Sequence, residues 1–349
     1  MSEKHLVKLS LGILCLLFAF SAVSCRKEQV GGPVASVTAS SNSEKVTVSF
    51  MVDPSSVAAT RAVESGEAAV RSLDILVFRT DGSLDASARS VDSYEVTASV
   101  TSGKQLLYYV VANAPDDAFL SVVNLSGFLG GRVRLADNLS GFVMFGSGSF
   151  TASGNGAPLV VRVDRYACKV SVESVNVKWA DSFTTLPSIS VGRVALINVV
   201  GSTPYSGVPD AGDLWYNRMG VDGGTDASVS SMIVASRSVP VTASGDLSLG
   251  VSLFAMPNPT DNSASSTNAP AWSARNTRVA LELIVDGVSN WYPVTLPAMQ
   301  CNHHYIVKKL NVMGPGAASP DEDVIRSEVD FTIEVEDWTE TSQNVDFGL

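Results

Sequence analysis

The chain contains 349 residues with a formal net charge of -11 at pH 7, and 17% of its residues are charged. This acidic balance argues against nucleic acid as a partner, because phosphate binding needs a basic surface. The length suits two ordinary domains or one large one, and the abundance of Val, Ser, Thr and Gly favours β-strands over long helices.

The N-terminus has the pattern of a bacterial lipoprotein signal peptide, which we place at residues 1–24. Lys4 and Lys8 precede an apolar run that is too short to span a bilayer as a stable helix, and small residues then lead directly to Cys25. The pattern predicts export and attachment of lipid to the Cys25 thiol. An ordinary signal peptide with a cysteine near its end is the alternative. Residues 25–44 are predicted to be a flexible tether.

Short strands are predicted from residue 45 onwards. The first, at 45–53, alternates clearly, and its apolar face consists of Val46, Val48, Phe50 and Val52. Further strands are predicted at 73–79, 94–100, 105–112, 142–145, 159–164, 166–179, 194–200, 252–256, 278–285, 292–296, 304–312 and 330–335, with long loops at 201–231 and 257–277. Close turns and almost no helical periodicity predict an all-β fold built from β-sandwiches, divided near residues 163–165.

The sequence offers little for catalysis. Apart from His5 in the signal peptide, the histidines are His303 and His304, and neighbours on a strand point to opposite faces. No common catalytic or nucleotide-binding motif is present. The acidic loops at 210–213 and 222–226 lack EF-hand spacing and are predicted to be solvated loop tips. We therefore predict a protein that is not an enzyme and uses no cofactor or metal.

Two cysteines lie outside the signal peptide and the predicted lipid site, namely Cys168 and Cys301. In an oxidising compartment a disulfide between them is one alternative. The sequence does not show that their Cα atoms come close enough for a bond. Two buried free thiols are the other alternative, and it is at least as consistent with the sequence.

Two features of the sequence point to a function. Arg61-Ala62 is a basic cut point in the segment after the first strand, where proteolysis is favoured, although a surface arginine without consequence is the simpler interpretation. Arg71 is a second candidate, but it abuts the next strand.

At the C-terminus, an apolar face at two-residue spacing ends the chain and consists of Val345, Phe347 and Leu349. A last strand that folds back onto its own domain is the alternative for this tail.

Energetics connect the cut point to the tail. Burying the four apolar side chains of the first strand is worth ~6–12 kcal/mol, which is comparable with the ~5–15 kcal/mol net stability of a whole domain. A domain that loses this strand by cleavage needs an equivalent strand from another chain. The C-terminal face is a candidate for such strand addition, which would be head-to-tail and would build a fibre.

In their order along the chain, several motifs resemble the fimbrillin, or type V pilin, family of Gram-negative anaerobes. They are the lipoprotein signal, the first strand, Thr60-Arg61-Ala62, 73–82 (LDILVFRTDG), 108–115 (YYVVANAP), 165–170, 302–305 and Asp337-Trp338-Thr339. The resemblance covers most of the chain after the signal peptide.

The resemblance implies two transthyretin-like β-sandwich domains in tandem, at residues 45–163 and 164–349, with a donor-strand tail at 339–349. It also implies an outer membrane lipoprotein precursor that an Arg-specific, trypsin-like protease cleaves after Arg61. That cut would release the strand at 45–53 and the lipidated Cys25. Copies of the subunit, or related pilins, would then polymerise by donor-strand exchange into a cell-surface fimbrium that supports adhesion to an unidentified receptor.

Other interpretations stay open at this point. An anchor subunit would keep its first strand and its lipid, and a tip subunit would add a binding domain. A monomeric surface lipoprotein could instead bind glycans through exposed aromatic residues such as Trp215, Tyr216 and Trp272. A secreted hydrolase that uses two carboxylates is a third class.

Overall fold

The structure is a computed structural model that describes residues 44–53, 67–154, 156–178, 184–185, 187–210, 212, 214–222, 226–242, 245–268, 271–324 and 329–338. These residues form an almost entirely β structure, which confirms the predicted fold class. The strands are β1 Lys45–Val52, β2 Ser72–Arg79, β3 Leu84–Val91, β4 Glu95–Thr101, β5 Gln105–Ala112, β6 Arg132–Arg134, β7 Met144–Thr151, β8 Leu159–Val161, β9 Asp164–Arg165, β10 Cys168–Val177, β11 Ile189–Ile197, β12 Val199–Val200, β13 Ser202–Pro204, β14 Trp215–Tyr216, β15 Val234–Pro240, β16 Asp246–Ala255, β17 Arg278–Val285, β18 Val288–Thr295, β19 His303–Val312 and β20 Val329–Asp337.

Helices are few and short in the described ranges. They are α1 at Leu125–Gly130, a 3-10 helix at Leu135–Asn138 and α2 at Ser230–Ile233. The side chain of Asn124 caps α1 by accepting a hydrogen bond from the amide of Gly127. Among the described residues, no helix has the length and apolar character needed to cross a bilayer.

The first half of the described chain forms two facing sheets. One is a three-stranded sheet in the order β4-β1-β8, and the other is a five-stranded sheet in the order β3-β2-β5-β7-β9. Phe50 and Val52 from the first sheet meet Ile75, Val77 and Val110 from the second in one hydrophobic core. The opposite face of β2 is buried as well, which explains its nearly continuous apolar sequence.

The second half forms another pair of sheets around a larger core. Their orders are β16-β10-β19-β20 and β15-β11-β17-β18. β10 is central in the first of these sheets because it pairs antiparallel with β16 and parallel with β19. Two small sheets, β12-β14 and β13-β6, complete the ladders, and β13-β6 pairs residues 202–204 with residues 132–134.

Some elements differ from the sequence predictions. β3 and β15 lie in stretches for which no strand was predicted, and β7 continues well past residue 145. The predicted loop at 201–231 contains β13, β14 and the start of α2. Small or polar residues replace large apolar ones in these strands, so the apolar periodicity is weak there. Asp286 and Gly287 have φ angles of 48° and 85°, as a tight hairpin turn between β17 and β18 requires.

One glycine permits a close approach beside β1. A Cβ atom placed on Gly146 of β7 would lie 2.2 Å from the carbonyl oxygen of Arg162 and 2.8 Å from a methyl carbon of Val161. Val161 belongs to β8, which pairs with β1. The absence of a side chain at Gly146 therefore allows β8 and the chain that follows it to cross β7 closely enough to flank β1.

Candidate functional site

β1 is the middle strand of its three-stranded sheet. It pairs antiparallel with β4, from Lys45 opposite Thr101 to Met51 opposite Glu95, and parallel with β8 at its C-terminal end. Beyond the strand, the amide of Asp53 still donates to the carbonyl of Val161 at 2.8 Å. Because β4 and β8 are joined to this sheet through β1, its removal would leave both strands with an open hydrogen-bonding edge.

The inward face of β1 is buried most deeply at its C-terminal end. Phe50 and Val52 are fully buried, whereas Val46 and Val48 are half-buried. The ring centroid of Phe50 lies 5.5 Å from that of Tyr108 on β5 and 5.5 Å from that of Phe150 on β7. These neighbours define the Phe50 pocket, which we take as Tyr108, Phe150 and the space that Phe50 fills between them.

The outward face of β1 is held by polar contacts. Lys45 forms an ion pair with Asp85 at 3.4 Å, and the hydroxyl of Ser49 donates to Glu95. The Asp85 carboxylate also accepts hydrogen bonds from the amide and hydroxyl of Thr101 at 2.7 and 2.6 Å. Burial by itself would raise the pKa of Asp85, but these hydrogen bonds and the Lys45 charge outweigh it and lower that pKa.

A second cluster joins the chain before β2 to the end of β20. We call it the Glu67 junction and define it as Glu67, Arg165, Lys169 and Trp338, which are all buried. The carboxylate of Glu67 accepts hydrogen bonds from Lys169 Nζ at 3.0 Å and from Trp338 Nε1 at 3.3 Å. Arg165 donates to the carbonyls of Glu67 and Trp338, and its guanidinium lies 4.8 Å from the centre of the Trp338 ring.

Aromatic packing fixes the Trp338 side of this junction. Its ring stacks on Phe254 with a centroid distance of 5.6 Å and meets Phe142 edge-on at 4.9 Å. The backbone amide of Trp338 donates to the carbonyl of Asn302 at 2.7 Å. The last described residue before the C-terminal tail is therefore fixed by both its side chain and its backbone.

Several predicted site residues lie outside the described residues. They are Cys25, Arg61, Ala62, Val345, Phe347 and Leu349. The segments 54–66 and 339–349, which contain the predicted cut point and the predicted donor strand, directly adjoin described residues. Val52 and Asp53 precede the first of these segments and Glu67 follows it, while Trp338 precedes the second.

The two cysteines are free thiols in the structure. Cys168 is fully buried at the start of β10, and its thiol donates to the carbonyl of Gln300 at 3.0 Å. Burial raises the pKa of Cys168 well above its usual value and raises the pKa of Cys301 to about 12. Both thiols therefore stay protonated at neutral pH and are poor nucleophiles.

The adjacent histidines have different surroundings. His303 Nε2 lies 3.6 Å from the Asp337 carboxylate, whereas His304 is buried and shares a hydrogen bond of 2.8 Å between its Nε2 and the Ser171 hydroxyl. Burial, reinforced by the charges of Lys169 and Lys308, lowers the pKa of His304 from 6.5 to about 4. The ring is therefore neutral at physiological pH.

This depressed pKa predicts an acid-sensitive contribution to stability. The unfolded chain binds a proton at His304 below pH 6.5 and the folded chain does not, so the contribution is present above pH 6.5 and is lost as the pH falls toward 4. It amounts to a few kcal/mol at most, because the Glu336 carboxylate 3.3 Å from Nδ1 favours the protonated ring in the folded chain. Denaturant unfolding of the native chain and of His304→Gln between pH 7.5 and 4 should give a flatter pH profile for the variant, and parallel profiles would contradict the assignment.

The aromatic residues considered for glycan binding are mostly buried. Trp215 and Tyr216 are each 8% exposed and belong to a hydrophobic core, so the expectation of an exposed platform is wrong for these two. Trp272 is partly buried against Trp215, with ring centroids 5.3 Å apart, and Arg218 lies 5.6 Å from its ring centre. Their burial follows from β14, which pairs with β12 where a loop was expected and contributes both side chains to the larger hydrophobic core.

Acidic residues of the predicted loop tips form ion pairs. Asp210 binds the guanidinium of Arg132 with two hydrogen bonds of 2.8 and 2.6 Å, and Asp222 pairs with Arg218. Within the described ranges, no group of three or more His, Cys, Asp and Glu residues is arranged to hold a metal ion.

Comparison with known proteins relates part of these features to one family. Residues 45–151, which include β1 and the strands that form the Phe50 pocket, match the family model described as major fimbrial subunit protein (FimA). The fold is similar to that of a fimbrilin from Porphyromonas gingivalis W83, with a TM-score of 0.58, 17% identity and coverage of 85% of this chain and 98% of that chain. The chain is therefore similar to fimbrial subunits in sequence over residues 45–151 and in fold over most of its length.

The fimbrillin fold recurs in further solved structures. A protein assigned to cell adhesion from Bacteroides eggerthii has a TM-score of 0.63 and 17% identity, and the match covers 84% of this chain and 96% of that one. A protein with the same assignment from Parabacteroides distasonis has a TM-score of 0.61 and 15% identity, and the match covers 84% and 99%. No curated protein matches the sequence. At these identities the solved structures show a shared fold.

Sequence reasoning identified β1 and its buried face but missed the Glu67 junction. Arg165, Lys169 and Trp338 lie within motifs that carry the resemblance, yet nothing in those motifs indicates that they meet around one carboxylate. Glu67 lies outside the motifs. A glutamate among small and apolar residues, five positions before the start of a buried strand, was the available signal.

Proposed function

We propose that this chain is a fimbrial subunit that matures by proteolysis and polymerises by donor-strand exchange. It is exported as an outer membrane lipoprotein through Cys25 and consists of two β-sandwich domains, at 45–163 and 164–349. A trypsin-like, Arg-specific protease cleaves after Arg61, which releases β1 together with the lipidated N-terminus. The observation that carries the proposal is β1 itself, a central strand with a buried face that leads directly into the segment containing Arg61.

The energetics of β1 support replacement over simple loss. Phe50 and Val52 are fully buried, and the loss of both would remove roughly 3–6 kcal/mol of burial energy before the opened edges of β4 and β8 are counted. Such a loss is a large fraction of the ~5–15 kcal/mol stability of a domain. A cleaved subunit is therefore expected to accept a strand of the same shape from a second copy of this chain.

The C-terminal tail has the residues to replace β1. Residues 48–52 read V-S-F-M-V, and residues 345–349 read V-D-F-G-L. In the same strand direction, Val345 takes the position of Val48, Phe347 enters the Phe50 pocket, and Leu349 takes the position of Val52. Side chains two residues apart lie on one face of a strand, so all three point into the groove together.

The test is polymerisation after cleavage. The full chain carrying Cys25→Ala, which prevents lipidation, is treated with an Arg-specific protease, the new N-terminus is mapped, and the product is examined for SDS-resistant ladders and filaments. We expect a new N-terminus at Ala62 together with SDS-resistant ladders. The variant Arg61→Gln should give neither the new N-terminus nor the ladders. Lys104→Gln, at an exposed position, serves as a charge-matched control and should polymerise normally. Cleavage at Ala62 without ladders would contradict donor-strand exchange, and a folded chain that resists cleavage at Arg61 would instead fit an anchor subunit that keeps its first strand.

A further inference from the structure

The chain between the segment 54–66 and β2 is fastened to the body of the protein at two points. The first is the Glu67 junction, in which Glu67 is 6% exposed and bonded through both its carboxylate and its carbonyl. Its partners come from distant parts of the chain, since Lys169 is on β10 and Trp338 follows β20. Pulling Glu67 out of this site would cost all of these contacts at once.

Asn113 provides the second point. Its φ of 60° turns the chain sharply after β5, and its side-chain amide group donates to the carbonyls of Ala69 and Phe142 at 2.8 Å each. Its side-chain oxygen accepts from the amides of Arg71 at 2.8 Å and Ser72 at 3.4 Å. One asparagine thus supplies bonds to three residues of the short stretch 67–72.

Backbone hydrogen bonds on both sides hold the peptide bond between Arg71 and Ser72 in place. The carbonyl of Arg71 accepts a hydrogen bond of 2.7 Å from the amide of Asp92, and the carbonyl of Ser72 accepts one of 2.9 Å from the amide of Asn113. Proteolysis of a folded protein requires local opening of the backbone around the cut, so its rate follows the population of the open form. The side chain of Arg71 is nevertheless exposed, so the protection lies in the backbone.

We propose that Glu67 and Asn113 select the maturation site by holding the backbone of residues 67–72 in its hydrogen-bonded conformation. The protease then does not cleave after Arg71, and cleavage is confined to the segment before Glu67. This inference rests on the proposed maturation by an Arg-specific protease. It assigns to the two residues a positioning role in determining where the mature chain begins.

The choice of cleavage site matters because cleavage after Arg61 and cleavage after Arg71 give different mature chains. Cleavage after Arg61 leaves Glu67 in the mature chain and keeps the junction complete. Cleavage after Arg71 would delete Glu67 and Val70, and with Glu67 the carboxylate that binds both Lys169 and the indole of Trp338. Trp338 is the residue from which the C-terminal tail departs, so a misplaced cut would loosen the start of the tail.

The experiment asks where the protease cuts when the preferred site is absent. The full chain carrying Cys25→Ala and Arg61→Gln is digested briefly with an Arg-specific protease, and fragments that begin at Ser72 are quantified by mass spectrometry. Adding Glu67→Gln or Asn113→Ala should increase the rate of appearance of these fragments by at least about tenfold, because each change raises the open population. Adding Arg71→Gln as well should abolish them.

Two further variants separate local release from general loss of stability. Leu283→Ala removes a fully buried side chain from β17, in another sheet, and should increase digestion at many sites without favouring Ser72. The double variant Glu67→Gln with Lys169→Met removes the ion pair without changing the net charge, and it should still increase cleavage after Arg71. The proposal is overturned if fragments that begin at Ser72 appear equally fast with and without Glu67→Gln or Asn113→Ala. It is also overturned if Leu283→Ala produces these fragments as selectively as those two substitutions do. Because this readout needs no ladders, it is independent of whether the subunit polymerises.

Discussion

Phe50→Ala is expected to destabilise the uncleaved subunit by about 3–5 kcal/mol, because the side chain is fully buried between Tyr108 and Phe150 and the surrounding sheets cannot close the resulting cavity. Chemical denaturation of the full, unlipidated chain measures this loss. Thr47→Ala, on the exposed face of the same strand, is the matched control and should change the free energy of unfolding by no more than about 0.5 kcal/mol.

The same substitution should have no effect after assembly. If β1 leaves the subunit on maturation, fibres made from Phe50→Ala chains contain the same polypeptide as native fibres and should dissociate at the same denaturant concentration. A fibre that is weakened by Phe50→Ala would show that β1 stays in place, and donor-strand exchange would then be wrong for this chain.

Phe347→Ala is expected to have the opposite pattern. The precursor should keep its stability, because the Phe50 pocket is already filled by Phe50. The cleaved subunit should form few or no ladders, because each junction would lose about 3–5 kcal/mol, which corresponds to a hundredfold or more in affinity. Unfolding of the precursor and gel analysis of the cleaved product measure the two effects separately.

The matched control for Phe347→Ala is Gln343→Ala, which lies in the polar stretch before the apolar face of the tail and should leave both stability and ladder formation unchanged. If Phe347→Ala instead lowers the stability of the precursor, the tail folds back onto its own domain. That result would favour the alternative in which residues 345–349 form a last strand of the same subunit.

The parts of the fold that sequence predicts well are those in which large apolar residues mark one face. β1 alternates Val, Val, Phe and Val, and its observed burial follows that alternation. β5 and β17 occur at their predicted bounds because both are strongly apolar. β3 was not predicted because Ala86 and Ala88 face the core, where larger apolar side chains would have indicated a strand.

The parts that sequence does not predict depend on contacts between distant residues. Glu67 and Trp338 are separated by 271 positions, and no local pattern encodes their hydrogen bond. The role of Asn113 is similarly invisible, because its bonds to residues 69–72 depend on how β2 and β5 pair. The burial of Trp215 likewise follows from a two-residue strand that local periodicity cannot indicate.

The position of Trp338 has a mechanical consequence for a fibre assembled in the proposed way. Tension along such a fibre would enter each subunit where its tail leaves the body, which is at Trp338. The force would then be shared by the rings of Phe142 and Phe254, the Arg165 guanidinium and the carboxylate of Glu67, which also binds Lys169, so that it reaches β9, β10 and β16 together. A load shared among these side-chain contacts does not fall on the ladder between β19 and β20 alone.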